Sequence, residues 1–311
     1  MKALKTLLTN QKKARMSFSR EGITFFHHFM SRWHGDAFSC SISPTQCDIA
    51  PLAHAVGMGQ GYPVVAFETN HITVNGVRLP LSDGDALPWE DAPEDFYHLE
   101  AHTFKAAKFC SKEDCVLGNV YVSEGQVIGS DGHRFSKYPS SYQGPKGMIP
   151  QKAAVLAERL ARASKISMIQ VAFPTPYTWF VRVGNIDLQG QLYTQKYVNI
   201  ERVLADLGGD ASALGFKIDP KAWKTAVEPH KNVWKTHVHP SHDKESIVFT
   251  SDICQMVVPY AGEDFPHLMF NTKYLLEALR LKPSVLYAKD SDTPVLFVID
   301  KGLHGLMPLC K

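Results

Sequence analysis

Two stretches of this sequence contain residue types whose spacing could do chemistry at a metal ion. In the stretch His237–Asp243, alternating histidines could ligate a metal and the aspartate could complete the site. No metalloenzyme motif fits this spacing, so an exposed loop before a strand is the favoured interpretation. His27 and His28 are a weaker candidate, since neighbouring residues on a strand point to opposite faces of the sheet.

Two further stretches resemble parts of enzyme sites. Ser130, Asp131 and His133 supply the residue types of a hydrolase, but the chain has no G-x-S-x-G elbow. The stretch Gly57–Gly61 is glycine-rich, yet it lacks the Lys-Ser/Thr of a phosphate loop and follows a predicted helix. We therefore predict a protein that is not an enzyme and that needs no cofactor and no metal.

The composition bounds the class of protein. The 311 residues are enough for about two or three domains. A net charge of +2 is far from that of a dedicated nucleic-acid coat, so a DNA partner would require the positive charge to be segregated on one surface. No apolar run is long enough for a membrane helix and no secretory signal is evident, so we expect a cytoplasmic protein. The six cysteines form no C-x-x-C pair, which predicts thiols and no zinc ribbon.

A pattern of one helix followed by alternating strands recurs about every 50 residues, which is within the range of internal repeats. Helices are predicted near residues 2–14, 48–57, 102–110, 150–166, 218–228 and 271–282. Strand pairs joined by tight turns are predicted within 15–26, 64–74, 120–128 and 246–258. Such hairpins imply antiparallel pairing, so an α+β fold is favoured over a doubly wound parallel sheet.

Six such units suggest three similar domains of two units each. The acidic stretch Asp83–Asp95 and the glycine-rich stretch Leu207–Gly215 have the composition of surface joints. We therefore predict domains at residues 1–93, 94–207 and 208–311.

Most of the predicted helices carry a basic face. In Ile149–Lys165, which Pro150 can open, the apolar residues fall on one arc and the basic residues on the other. Five of the six helices share this bias, and only 48–57 lacks Lys and Arg. The candidate DNA-facing residues are Lys2, Lys5, Lys12, Lys13, Lys105, Lys108, Lys152, Arg159, Arg162, Lys165, Lys221, Lys224, Lys273 and Arg280.

Three separated segments carry a family resemblance. They are Ser130–Phe135 (SDGHRF), Phe270–Leu279 (FNTKYLLEAL) and the ending Leu306–Lys311 (LMPLCK). In this order they resemble the T-D-G-H-R-L strand, the F-N-x-x-Y-L-L-D-A-L helix and the M-P-x-R-L end of the bacterial DNA polymerase III beta subunit, the sliding clamp. By sequence the resemblance extends from about residue 95 to the end and is weak before it, within the usual error of such boundaries.

The resemblance implies an α+β clamp fold with three similar domains per chain and a head-to-tail ring. Two chains would give a six-domain ring, whereas two domains per chain would require a trimer. The helices of the ring would line a central hole and attract DNA phosphates without reading bases. The implied partners are double-stranded DNA, and a DNA polymerase and a clamp loader held by a short linear motif. The implied role is a processivity factor in the cytoplasm, associated with the nucleoid.

The resemblance also implies a peptide-binding pocket. Its residues are Leu117, Gly132, His133, Arg134, Phe135, Asn271, Tyr274, Met307, Pro308 and Leu309. The apolar members would anchor the peptide, and His133, Arg134 and Asn271 would orient its backbone or a glutamine side chain. Leu117 is expected on the preceding strand, the four residues from Gly132 on the middle-domain strand, and the last three on the terminal strand.

Several positions depart from the family pattern. Ala205 replaces a usual proline, Cys310 and Lys311 replace the terminal Arg-Leu, and the subunit-contact segment Val227–His230 is more polar than usual. These departures suggest a divergent, phage or plasmid clamp with a different partner motif. A monomeric clamp-fold adaptor or decoy is the alternative, and a histidine-rich metal-dependent enzyme is less favoured.

Overall fold

The computed structural model describes the backbone of eight short strands in the first 83 residues, together with Thr6. It also describes residues 92–113, 115–175, 178–191, 196–199, 202, 214–260 and 264–309. The predicted helix at 48–57, most of the helix at 2–14 and most of both predicted joints lie outside the described residues.

The described elements alternate short helices with runs of strands. The strands are β1 (Arg15–Ser19), β2 (Gly22–Phe26), β3 (Met30–Trp33), β4 (Thr45–Gln46), β5 (Val65–Glu68), β6 (His71–Val74), β7 (Val77–Pro80), β8 (Ser82–Asp83), β9 (Tyr97–Glu100), β10 (Asn119–Ser123), β11 (Gln126–Ser130), β12 (Arg134–Pro139), β13 (Gly147–Pro150), β14 (Met168–Thr175), β15 (Thr178–Val183), β16 (Ile186–Gln191), β17 (Leu214–Lys217), β18 (Lys235–Pro240), β19 (Ser246–Thr250), β20 (Gln255–Pro259), β21 (Leu268–Asn271), β22 (Val285–Ala288), β23 (Val295–Ile299) and β24 (Gly302–Leu306). The α-helices are α1 (Gln151–Ser164), α2 (Pro220–Val227) and α3 (Thr272–Arg280), and 3-10 helices span Ala101–Phe109, Val116–Gly118 and Glu228–His230.

The chain divides into two compact units, each assembled from separate segments. The first unit contains Met1–Lys108, Asn119–Val127 and Ser140–Gln195, and the second contains Phe109–Gly118, Ile128–Pro139 and Lys196–Lys311. The predicted three-domain division is not tested by this partition and stays a prediction.

The first unit is built on antiparallel sheets. Its largest sheet has the order β8-β4-β1-β2-β3-β16-β15-β14-β9, and β5, β6 and β7 form a separate three-stranded sheet. The pairs β1–β2 and β5–β6 are two of the hairpins predicted from the turn residues. The sheet pairing therefore confirms the expected α+β class.

Helix α1 belongs to the first unit and has the predicted two-sided character. Its buried residues are Ala153, Ala154, Leu156, Ala157, Leu160 and Ala161. Pro150 lies just before the helix in extended conformation, with ψ 139°, and Lys165 ends it in the left-handed region at φ 57°. The sequence predicted that Pro150 would be the first residue of this helix, but the helix begins one residue later, at Gln151.

The second unit contains two antiparallel sheets and two helices. One sheet includes β12-β24-β23-β22-β17 in that order, and the other has the order β20-β19-β18-β21. Helices α2 and α3 pack against each other. The core between these elements is aromatic: Trp223 meets Phe249 edge-on at 5.1 Å between ring centroids, and Phe216 meets Phe265 at 4.9 Å.

The helix predictions at 150–166, 218–228 and 271–282 are confirmed as α1, α2 and α3. The helix predicted at 102–110 is present, but as the 3-10 helix Ala101–Phe109. None of the described helices is long and apolar enough to span a membrane.

Candidate peptide-binding site

The turn between β11 and β12 is held by its own side chains. The Ser130 hydroxyl donates to the carbonyl of Arg134 at 2.9 Å and accepts from the Gly132 amide at 3.1 Å. The Asp131 carboxylate accepts from the amides of His133 and Arg134, each at 3.1 Å. Gly132 has φ +90°, a conformation that a glycine adopts without steric penalty. Ser130, Asp131 and Gly132 therefore each have a physical reason to occupy this turn.

Arg134 is the centre of the contacts that join this turn to α3. Its guanidinium donates to Asp131 at 2.9 Å and to Glu277, while only 9% of its side chain is exposed. The guanidinium carbon lies 4.3 Å from the Tyr274 ring centroid and 5.3 Å from that of Phe109. Burial alone would lower the pKa of Arg134, but the hydrogen bonds to Glu277 and Asp131 outweigh it and raise the pKa. Arg134 is thus charged, and it links the turn to α3.

The last residues of the described chain run beside the same turn. Strand β24 pairs with β12, and the Met307 amide then donates to the carbonyl of His133 at 2.9 Å. The Leu309 amide donates to the carbonyl of Met269 at 2.7 Å. These two bonds fix the segment from Met307 to Leu309 between the turn and the strand that precedes α3.

Six of the ten predicted pocket residues are accessible on the second unit. Gly132, His133 and Met307 are exposed, while Leu117, Tyr274 and Leu309 are half-buried. The His133 ring stacks on the Tyr274 ring at 6.2 Å and 29°. The Leu117 side chain lies beside Gly132, where an added Cβ would be in ordinary van der Waals contact with it at 3.5 Å. The resemblance therefore led to residues that the structure does bring together.

The other predicted pocket residues are buried and support this surface. Phe135 is buried and packs on Gly305, where an added Cβ would lie 2.0 Å from the ring. Asn271 caps α3, because its side chain accepts from the Tyr274 amide at 3.3 Å. Pro308 is buried as well. The expected apolar surface therefore excludes Phe135 and Pro308.

Three expected positions within elements are corrected. Leu117 lies in the 3-10 helix Val116–Gly118, and Gly132 and His133 lie in the turn before β12. The segment that begins at Met307 lies just beyond the last strand. For Gly132 and His133 the reason is local, since the φ of +90° at Gly132 belongs to a turn and not to a strand.

Sequence reasoning missed the residues that hold the site from within. His304 is fully buried, its Nδ1 lies 2.8 Å from the Ser136 hydroxyl and its ring packs on Phe109 at 4.6 Å. Burial, with Arg134 nearby, lowers the pKa of His304 to about 3. Glu277 could have been found, because it occupies the acidic position of the F-N-x-x-Y-L-L-D-A-L motif; nothing in the sequence marks His304 or Phe109.

The candidate DNA-facing residues are consistently at the surface. The ten within the described residues are all exposed: Lys105, Lys108, Lys152, Arg159, Arg162, Lys165, Lys221, Lys224, Lys273 and Arg280. The other four, Lys2, Lys5, Lys12 and Lys13, lie outside the described residues, as do Ala205, Cys310 and Lys311.

The stretches with catalytic residue types do not form an enzyme site in the described part of the chain. His237–Asp243 is not the exposed loop that was expected, because β18 includes its first four residues and pairs with β19 and β21. No group of three or more potential metal ligands occurs among the described residues. The Ser130 hydroxyl is committed to backbone groups, which leaves it unsuited to act as a nucleophile.

The whole chain is similar in fold to bacterial sliding clamps, although no protein-family model and no curated protein matches it. The DNA polymerase III beta subunit of Thermotoga maritima aligns with a TM-score of 0.80 and 12% identity, over 99% of this chain and 97% of that one. The beta chain of Streptococcus pneumoniae gives 0.76 and 14% over 100% and 98%. The Helicobacter pylori beta clamp bound to a DNA ligase peptide gives 0.75 and 14% over 99% and 98%. The fold is therefore the DNA clamp fold, and the structural likeness includes the first 95 residues, where the sequence resemblance was weak.

Proposed function

We propose that this protein is a sliding clamp, a processivity factor that encircles duplex DNA and tethers a DNA polymerase through a short peptide motif. The observation that carries the proposal is the clamp fold over the full chain, at TM-scores from 0.74 to 0.80. Such a protein has no chemistry and no cofactor of its own. It would act in the cytoplasm at the nucleoid, and a separate ATP-driven loader would open it.

The tethering site is the surface formed by Leu117, His133, Tyr274, Met307 and Leu309. A peptide with two or three apolar side chains would bury most of its area here, and a few such anchors carry most of the affinity of an interface. Met307 is 38% exposed and its flexible thioether adapts to different side chains. The support by Arg134 keeps the surface pre-organised, which lowers the entropic cost of binding.

The DNA-facing side is the set of basic helix faces. On α1 the exposed Arg159 and Arg162 lie opposite the buried arc, so the helix can present them to phosphates without losing its packing. Long cationic side chains in water bind phosphates without reading the base sequence, which is what sliding requires.

The ring is a homodimer in this proposal. In the expected contact segment Val227–His230, Val227 and His230 are fully buried within the second unit, whereas Glu228 is half-buried and Pro229 is exposed. Trp234 is 69% exposed, Ile253 59% and Val257 54%. Val257 lies on β20, which is one of the two edge strands of its sheet in the described part of the chain and can pair with a strand of a second copy. We assign the subunit contact to this surface.

Peptide binding tests the tether. Fluorescently labelled peptides from the ends of DNA polymerases are titrated with the wild-type chain and with a Met307→Ala, Leu309→Ala double variant. The double variant should lose binding while its solution mass stays unchanged, because both side chains leave the surface but their backbone bonds remain. Val198→Ala is the control, since Val198 is 42% exposed elsewhere. Unchanged affinity in the double variant would overturn the site.

Light scattering from micromolar to nanomolar protein tests the ring. A wild-type dimer that Trp234→Asp converts to a monomer, with Val198→Asp still dimeric, would support the assembly. A monomer at all concentrations that still binds polymerase peptides would favour the adaptor instead.

A further inference from the structure

Two histidines lie side by side on neighbouring strands of the second unit. The rings of His239 and His267 are 4.6 Å apart between their centroids, and their planes are inclined at 75°. His239 belongs to β18, which ends at the next residue, and His267 directly precedes β21. Because these two strands pair with each other, two side chains that are distant in the chain become neighbours.

The strand register places both side chains on the face of the sheet that points away from the core. Val238 pairs with Leu268, and both of these residues are buried. Side chains alternate between the two faces along a strand, so the residue after Val238 and the residue before Leu268 both point to the opposite face. His239 is half-buried there and His267 is exposed. The two imidazoles therefore form a cross-strand pair that a dissolved ion can reach.

A backbone contact sets the orientation and the tautomer of the His239 ring. Its Nδ1 lies 2.9 Å from the carbonyl oxygen of Pro240, which can only accept, so Nδ1 carries the proton. In the neutral ring the lone pair is then on Nε2. The Thr250 hydroxyl lies 3.4 Å from this Nε2, beyond the usual upper limit of about 3.2 Å, so it binds the lone pair weakly. A metal-binding imidazole has the same arrangement, with one nitrogen bonded to a carbonyl and the other on the metal.

The separation of the two rings fits two ligands of one metal ion. A transition-metal ion such as Zn²⁺ lies about 2.0–2.1 Å from an imidazole nitrogen. If the two bonds enclose an angle of roughly 90–110°, the ring centroids lie roughly 4.5–5.2 Å apart, and the observed 4.6 Å is within this range. His267 is exposed, so its ring can turn towards an ion without repacking the core.

We propose that His239 and His267 form a binding site for a divalent transition-metal cation such as Zn²⁺. Imidazole suits zinc, nickel and copper, whereas Mg²⁺ and Ca²⁺ prefer oxygen ligands. No group of three or more potential His, Cys, Asp or Glu ligands occurs in the described part of the chain, so there the pair is the protein's contribution and water completes the coordination. The site therefore binds an exchangeable ion, unlike a closed structural zinc site with four protein ligands.

The site is separate from the surface that we assign to subunit contact. In the described part of this sheet β20 and β21 are the two edge strands, and β19 and β18 lie between them. At a spacing of about 4.8 Å between strands, β21 lies roughly 14 Å from β20. Neither histidine belongs to the peptide-binding surface. Metal binding therefore does not depend on whether the chain forms a ring, binds DNA or binds a polymerase peptide.

Zinc binding tests the site. The full-length protein is freed of metal with a chelator and titrated with ZnCl₂ in a buffer that does not bind metals, and the heat is measured by calorimetry. His239→Gln and His267→Gln should each lower the affinity of one zinc site at least about tenfold, because a single imidazole replaces a chelating pair. The double variant should lose no more than either single variant, since both residues hold the same ion. His242→Gln is the matched control, because it removes an exposed histidine just beyond β18 and should change nothing.

Urea unfolding gives a second measurement that separates this site from other histidines of the chain. An ion that binds only the folded state raises the unfolding midpoint, so Zn²⁺ should raise it in the wild-type chain and in His242→Gln, and raise it less in the two site variants. Mg²⁺ at the same concentration should have no such effect. Without metal all four chains should unfold at the same midpoint, because the substituted side chains lie outside the core. Equal zinc affinity and equal zinc-induced shifts in the wild-type chain and in both site variants would overturn the proposal.

Discussion

Arg134 and Glu277 form an ion pair although they are 143 positions apart in the chain. Glu277 lies one turn beyond Tyr274 on α3, so the helix presents an aromatic ring and a carboxylate on the same face. Both contact the guanidinium that Asp131 holds from the other side. The turn motif and the α3 motif are therefore joined by one set of contacts around the Arg134 guanidinium.

Removal of Arg134 should destabilise the second unit strongly. Arg134→Met leaves the carboxylates of Asp131 and Glu277 without their cation, and breaking a buried pair in this way costs about 3 kcal/mol. Glu277→Gln keeps an acceptor for the guanidinium and should cost about 1 kcal/mol. Urea unfolding of both variants measures the difference. If both variants lose only a small and equal free energy of unfolding, the pair of Arg134 and Glu277 contributes little to stability.

The amphipathic character of α1 could be predicted from the sequence because it depends only on residue spacing. The order of buried and exposed positions follows from a period of 3.6 residues, and the structure reproduces it. The role of Arg134 could not be predicted in this way. Whether an arginine beside a turn faces a ligand or two carboxylates depends on a partner 143 positions away, and local pattern contains no such information.

The left-handed turn at Gly132 should be sensitive to any side chain. Its φ of +90° disfavours L residues, so Gly132→Ala should cost about 1–2 kcal/mol and shift His133 away from Tyr274. Gly125 is the matched control, because it also has positive φ, +72°, and an added Cβ there meets no neighbour within 4 Å. Both variants should unfold at lower urea concentration, but only Gly132→Ala should weaken peptide binding. Equal weakening in both would show a general loss of stability.

Stability should decrease as the pH falls from about 6.5 towards 3, and His304 should be one cause. The folded chain keeps this imidazole neutral down to a pKa of about 3, whereas the unfolded chain protonates it near the usual histidine pKa of 6.5. The unfolded state therefore binds more protons in this window, which costs about 2 kcal/mol between pH 7 and pH 5. His304→Asn should lose less stability between these two pH values than the wild-type chain does. The check is the difference between the two unfolding free energies at pH 7 and at pH 5, and identical pH dependence would contradict the assignment.

The stretch His237–Asp243 was predicted as a loop from its turn-forming residues, but its first four residues belong to β18. Pro240, Ser241 and the charged residues after them indicated a loop, yet β18 continues to Pro240 because its last residues pair with β19. His239 is fixed there by its contact with the His267 ring at 4.6 Å. Strand pairing provides backbone hydrogen bonds that outweigh the local preference, and sequence alone does not reveal the pairing partners.

Charge reversal on α1 should weaken association with DNA. Arg159→Glu with Arg162→Glu removes two exposed cations and adds two anions, while the buried arc stays intact. The loss of two phosphate contacts should reduce the slope of log affinity against log salt by about 2.

The stability cost of this double variant should be small, because the surface pair of Arg162 with Glu158, at 2.8 Å, contributes at most about 1 kcal/mol. Fluorescence anisotropy with a short linear duplex, titrated with salt, measures the effect on DNA. Lys146→Glu with Lys301→Glu is the control, since both lysines are exposed outside the helices and the net charge changes equally. If the two double variants lose the same affinity and the same salt dependence, the overall charge of the chain accounts for DNA binding, and α1 has no special part in it.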